Sequence, residues 1–230
     1  MKLQQINTFI KKELSGWKKE ELAGILIVLA IIIYNAVVLK DSAVAITSAV
    51  CGILYTVIAG KGKISCYLFG LTGSSFYGYL AFSNALWGNL LLYVGYYIPM
   101  QILGIFKWKK NLKKETNEIY KTQLTNKERF ILTLISLIGC FIGYIILHNA
   151  NDTHPLTDSM TTILSITGMY LTVRRCIEQW IIWTLVNALA IIMWFSVLQS
   201  GQKVYSTLLM WSVYLILGIY FYFQWRKELK

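Results

Sequence analysis

Long apolar runs of about twenty residues, separated by short basic clusters, constrain this 230-residue chain more than any motif does. Eight such runs are read, at about 22–39, 41–59, 64–83, 86–106, 130–148, 157–173, 178–198 and 204–225. Each is close to the ~20 residues a helix needs to cross ~30 Å of hydrocarbon. No run shows the ten-residue alternation of a β-barrel strand. Charged residues make up only 14% of the chain, against about 25% in a soluble domain. The expected fold class is therefore an all-α integral membrane protein with eight transmembrane helices.

Basic residues fix an expected orientation. With the N-terminus inside, 20 of the 22 Lys and Arg residues fall in cytoplasmic stretches and only Lys40 and Lys203 fall outside. This is the positive-inside bias expected of inner-membrane proteins, with both termini cytoplasmic. The same placement accounts for the net charge of +11 without nucleic acid as a partner. The N-terminus shows no small-residue cleavage site, so no cleavable signal peptide is expected. Leu3, Ile6, Phe9, Ile10, Leu14 and Trp17 recur near helical spacing among lysines, as in an amphipathic helix on the inner membrane surface. The four cysteines form no C-x-x-C pair and read as small apolar side chains.

An internal repeat organises the runs. Gly52–Val57 (GILYTV) matches Gly168–Val173 (GMYLTV) at an offset of 116, and Ile102–Ile105 matches Ile216–Ile219 at 114. Runs two and six share a direction, so the repeats are parallel, with three helices in each and one helix between them. The expected division is a basic amphipathic segment (1–21), an additional N-terminal helix (22–40) and a first three-helix bundle (41–106). A basic cytoplasmic loop (107–129), a linker helix with an outer loop (130–156) and a second bundle with a tail (157–230) follow. In transporters built from such repeats the substrate site lies near mid-membrane, between them.

Candidate site residues stand out as polarity inside apolar runs. Trp180, Trp183 and Asn187 are spaced i, i+3, i+7 and share one helical face. Two indoles and a carboxamide suit a flat polar ring. Tyr93, Tyr97 and Gln101 are spaced i, i+4, i+8, and Pro99 is expected to kink or break the helix beside Gln101. A carboxamide within an apolar span costs energy unless it is paired, so Gln101 is expected to meet a ligand, water or another helix. Asn35 is a further intramembrane polar group. Asp158 reads as a helix cap with Thr157, and Gly139 with Gly143 as small-residue helix packing. No phosphate loop, nucleophile–base pair, metal cluster or chain of buried acids is found in the sequence. No enzyme activity, catalytic residue, cofactor or metal is expected, and a passive path fits better than a pump.

The segment WIIWTLVN (180–187) resembles the W-x-x-W-x-x-x-N signature of the PnuC-type vitamin transporters. YYIPMQILGIFKW (96–108) and LSITGMYLTVRRCIEQW (164–180) are similar to the same family. The resemblance extends over nearly the whole chain from the first run onward. It implies a fold related to the SWEET sugar carriers, with a three-plus-one-plus-three core. It implies facilitated diffusion of a vitamin precursor, chiefly nicotinamide riboside, across the bacterial inner membrane. The partners it implies are that small molecule, the lipid membrane and a cytoplasmic nicotinamide riboside kinase that traps the substrate by phosphorylation; a homo-oligomer is compatible with it. By matching position, Trp180, Trp183 and Asn187 would line the site with Gln101 facing them. Thiamine and riboflavin carriers share the frame and stay open as alternatives, as does a non-transporting membrane sensor.

Overall fold

The computed structural model describes residues 11–13, 15–40, 42–83, 87–152, 154–199, 201 and 205–229. Eight long helices are found among them: α1 (Lys19–Val38), α2 (Ala43–Gly60), α3 (Cys66–Ser83), α4 (Trp87–Lys109), α5 (Asn126–Asn149), α6 (Pro155–Val173), α7 (Glu178–Gln199) and α8 (Tyr205–Glu228). Six of them are long and apolar enough to cross a membrane, α3 and α6 being the exceptions. The reason is composition. Gly70, Gly73, Ser74 and Gly78 on α3, and Ser159, Ser165, Thr167, Gly168 and Thr172 on α6, dilute the apolar content. These residues are buried, with Gly70, Gly73, Ser74 and Gly78, and Ser165, Gly168 and Thr172, at i, i+3/i+4 spacing, where small side chains let neighbouring helices approach closely.

The chain divides into two compact units, Met1–Tyr120 and Lys121–Lys230. In the first, α1 packs on α2, α2 on α3, and α3 on α4. In the second, α5 packs on α6, α6 on α7, and α7 on α8. A Cβ on Gly143 of α5 would stand 2.5 Å from the Ser159 hydroxyl, so glycine sets that contact between α5 and α6.

The helix starts follow local chemistry. Ser42 caps α2 by accepting from the Ala45 N–H at 3.2 Å. Thr125 and Glu128 form a reciprocal capping box at α5. Asp158 lies in the first turn of α6, whose cap position is His154.

Both units repeat one turn. After α2, the N–H groups of Lys61, Gly62 and Lys63 donate to the carbonyls of Val57, Ala59 and Ile58. After α6, those of Arg174, Arg175 and Cys176 donate to Tyr170, Thr172 and Leu171. The two sets are 113 residues apart throughout. Gly62 has φ +70° and Arg175 has φ +62°, so the second unit holds a non-glycine residue in the left-handed region. The turns therefore align at 113, whereas the short sequence match gives 116. Hydrogen bonding fixes the register more firmly than a six-residue apolar resemblance.

The loop between α4 and α5 is tied to each turn. Ile119 N–H donates to Gly62 O in the first unit, and Thr122 N–H to Arg175 O in the second. Lys63 is fully buried there, and its ammonium donates to the carbonyls of Lys12 (2.8 Å) and Thr116 (2.7 Å). The described part of the N-terminal segment is thus fastened to the loop, with Lys61 paired to Glu21 at 2.6 Å and lying over Trp17. Leu3, Ile6, Phe9, Ile10 and Leu14 lie outside the described residues. In the second unit Glu178 pairs with Arg129 at 2.8 Å and accepts from the Leu124 N–H, and Arg174 pairs with Glu128 at 2.7 Å.

Candidate functional site

The two polar stripes read from the sequence fall in different units. In the second, α7 carries Trp180, Trp183 and Asn187. Trp180 is 2% exposed, its ring 5.2 Å from Phe221 and edge-on to Trp225 at 5.6 Å. It fastens the start of α7 to the end of α8. At the 113-residue spacing its counterpart is Tyr67, also fully buried and edge-on to a tryptophan, Trp108, at 5.0 Å. The Trp180 indole N–H is buried and has no hydrogen-bond partner among the described residues.

Trp183, one turn on, turns to α6 instead. Its Nε1 donates to Thr172 Oγ1 at 3.2 Å, and its ring lies across Gly168. A Cβ at Gly168 would stand 2.9 Å from the ring, closer than real contacts allow. Gly168 and Thr172 are i, i+4 on α6, and together they fix both the plane and the rotation of the indole. Asn187 follows a turn later, 6% exposed, with no hydrogen bond to its carboxamide from any described residue. A carboxamide not committed to another side chain can both donate to and accept from a polar ligand.

In the first unit the seven residues Leu91–Tyr97 of α4 are π-helical. The Ile98 N–H reaches back five residues to the Tyr93 carbonyl. The cause is Pro99, which lacks an N–H and whose ring would clash with the carbonyl four residues earlier; the wider turn relieves both. The break foreseen beside Gln101 is thus a π segment. Within it Tyr93 stacks on Tyr77 of α3 (4.2 Å, 28°) and meets Tyr97 edge-on at 4.9 Å. Gln101 lies one turn beyond Tyr97 and is 2% exposed. Its Nε2 donates to Ser74 Oγ on α3 at 2.9 Å, while its Oε1 is buried without a partner among the described residues. A Cβ at Gly70 would meet both the Tyr55 ring (2.7 Å) and Gln101 Oε1 (3.1 Å).

Asn35 stands apart from these groups. Its amide donates to the Ile31 carbonyl of its own helix at 3.0 Å, and among the described helices α1 packs on α2. Trp87, at the start of α4, is exposed and edge-on to Phe82, which suits an interfacial aromatic. An open groove of about 700 Å³, lined by Val44, Leu71, Thr72, Ser75, Phe76 and Tyr79, holds no carboxamide and no charge.

Sequence reasoning missed Ser74, Tyr55, Tyr77, Gly168 and Thr172. Ser74 was legible only as part of the small-residue pattern on α3, and Thr172 only as one more polar atom near the C-terminal end of α6.

Comparison with known proteins bears on what such groups serve. A family model described as nicotinamide mononucleotide transporter matches residues 42–227. The nicotinamide riboside transporter PnuC of Neisseria mucosa is 34% identical over 226 residues, covering 96% of this chain and 86% of that protein. The protein of the same name from Haemophilus influenzae is 33% identical, covering 96% of each chain. A crystal structure of the vitamin B3 transporter PnuC superimposes with a TM-score of 0.81 at 34% identity, covering 96% of both chains.

Proposed function

Since the chain belongs to the nicotinamide mononucleotide transporter family, we propose that it carries nicotinamide riboside across the bacterial inner membrane by facilitated diffusion. The observation that carries the reading is the Trp183–Asn187 pair. One indole is held in a fixed plane by Gly168 and Thr172, and the carboxamide of Asn187, hydrogen-bonded to no described residue, stands one turn away. A pyridinium ring over an indole face gains about 0.5–2 kcal/mol. Carboxamides suit the ligand's own amide and its ribose hydroxyls.

The riboside fits better than its phosphate. No Lys or Arg lies in the apolar interior of a helix, so nothing there pairs with a phosphate dianion. The residues assigned to the substrate are Trp183 and Asn187 in the second unit and Gln101, Tyr97 and Tyr93 in the first. Trp180 supports them by anchoring α7. Asn35, taken up by its own helix, has the least support of the residues proposed from the sequence.

The proposal extends to eight membrane spans, α3 and α6 included, in a three-plus-one-plus-three arrangement preceded by α1. Both termini are cytoplasmic, which is what the distribution of Lys and Arg favours. A cytoplasmic kinase then makes uptake one-directional by phosphorylating the riboside. Calorimetric titration of purified protein with nicotinamide riboside, its mononucleotide, thiamine and riboflavin tests the assignment. The riboside is expected to bind and the other three not. Binding of thiamine or riboflavin alone reassigns the substrate within the family, and binding of none favours a non-transporting membrane sensor.

A further inference from the structure

The ring-on-glycine contact that holds Trp183 occurs in both units, with its two partners exchanged. At the 113-residue spacing of the turns, Gly168 of α6 corresponds to Tyr55 of α2, and Trp183 of α7 to Gly70 of α3. In the second unit α7 supplies the ring and α6 the glycine. In the first, α2 supplies the ring and α3 the glycine. The fit is as close in both: a Cβ at Gly70 would stand 2.7 Å from Tyr55 Cδ2, and one at Gly168 2.9 Å from Trp183 Cε2. One turn further along α3 and α7, Ser74 corresponds to Asn187, and Ser74 holds the Gln101 carboxamide at 2.9 Å. That carboxamide reaches the same glycine as the Tyr55 ring, its Oε1 3.1 Å from the Cβ position. Each unit therefore sets one flat ring near one carboxamide: Trp183 with Asn187, and Tyr55 with Gln101.

We infer that Tyr55 is a further substrate contact, which with Gln101 recognises the ribose of nicotinamide riboside. This rests on the reading of the chain as a carrier of that riboside and of Gln101 as one of its contacts. The ligand has two unlike halves. Its cationic ring gains most over an indole, the best of the aromatic faces for a cation, which assigns that half to Trp183. Ribose presents C–H groups on its faces and hydroxyls at its edge. The Tyr55 ring offers a flat apolar surface to the C–H groups. After its bond to Ser74, the Gln101 amide keeps an N–H and an Oε1 that is bonded to no described residue. A hydroxyl both donates and accepts, so the ribose can meet either.

The test compares nicotinamide riboside with N-methylnicotinamide, which keeps the cationic ring and its amide and replaces the ribose by a methyl group. Dissociation constants are measured by displacement of radiolabelled riboside from purified wild type, Tyr55→Phe and Tyr55→Leu, beside melting temperatures. Tyr55→Leu is expected to weaken the riboside by about tenfold, the worth of one aromatic face against a buried group, and N-methylnicotinamide by less than about twofold. Tyr55→Phe, which keeps the ring, stays within about threefold of wild type for the riboside. If Tyr55→Leu does not fold, Tyr55→Met carries the same prediction. If N-methylnicotinamide displaces nothing from wild type, the riboside constants and melting temperatures decide: weaker binding without a lower melting temperature supports the contact. A lower melting temperature with the riboside bound as in wild type shows packing on Gly70 alone and overturns it. Equal weakening of both ligands overturns the ribose assignment. Either result leaves the riboside reading standing, whereas a wild type that does not bind the riboside overturns that reading and this one with it.

Discussion

Gly168→Ala adds one methyl group where the structure leaves no room for it. The new Cβ would lie 2.9 Å from Trp183 Cε2 and 3.1–3.2 Å from two further ring atoms. Either the indole moves, losing its hydrogen bond to Thr172, or α6 and α7 separate. Overpacking of this kind costs about 1–3 kcal/mol and the lost bond about 1 kcal/mol. Opposing this, alanine is about 1 kcal/mol more favourable than glycine within a helix. The net expectation is a loss of about 1–3 kcal/mol of stability, seen as a lower melting temperature. Binding of nicotinamide riboside should weaken by about tenfold or more, since each 1.4 kcal/mol lost from an oriented wall is a factor of ten. Calorimetric titration beside thermal melting separates the two effects. Thr172→Val, which removes the acceptor without adding bulk, is expected to weaken binding less than Gly168→Ala does. A Gly168→Ala protein that melts at a lower temperature yet binds as the wild type does would refute the reasoning, because Trp183 would then be packing alone.

Other substitutions test neighbouring parts of the account. Asn187→Leu removes a polar group from an apolar helix, so it should insert and fold normally yet lose detectable binding by calorimetry. Lys63→Met strips the carbonyls of Lys12 and Thr116 of their buried donor, at a cost of about 1–3 kcal/mol. Limited proteolysis should then cut between residues 11 and 18 faster than in the wild type. Arg175→Gly relieves a side chain held at φ +62° and should raise thermal stability by about 1 kcal/mol. No gain there would mean that contacts of the arginine offset the backbone strain.

The apolar runs and the basic clusters between them made the helices legible, because both follow from the cost of burying charge and backbone in lipid. The turn registers were not legible. Equivalence of Gly62 with Arg175 rests on backbone hydrogen bonds that neither side chain announces, and the apolar match at 116 pointed to a register three residues away. Trp183, Asn187 and Gln101 were legible as polarity out of place. Their supports were not, since Ser74, Gly168 and Thr172 are ordinary residues until a neighbouring helix is laid across them. The π segment was half legible: Pro99 announced a break, but not that five-residue hydrogen bonding would absorb it.

The central claim is tested most directly by flux of radiolabelled nicotinamide riboside into liposomes that contain only this protein. The account predicts entry until the inside and outside concentrations are equal, unaffected by ionophores that dissipate proton or sodium gradients, and slowed by Asn187→Leu. Flux no greater than in protein-free liposomes, or accumulation that requires an ion gradient, would contradict it.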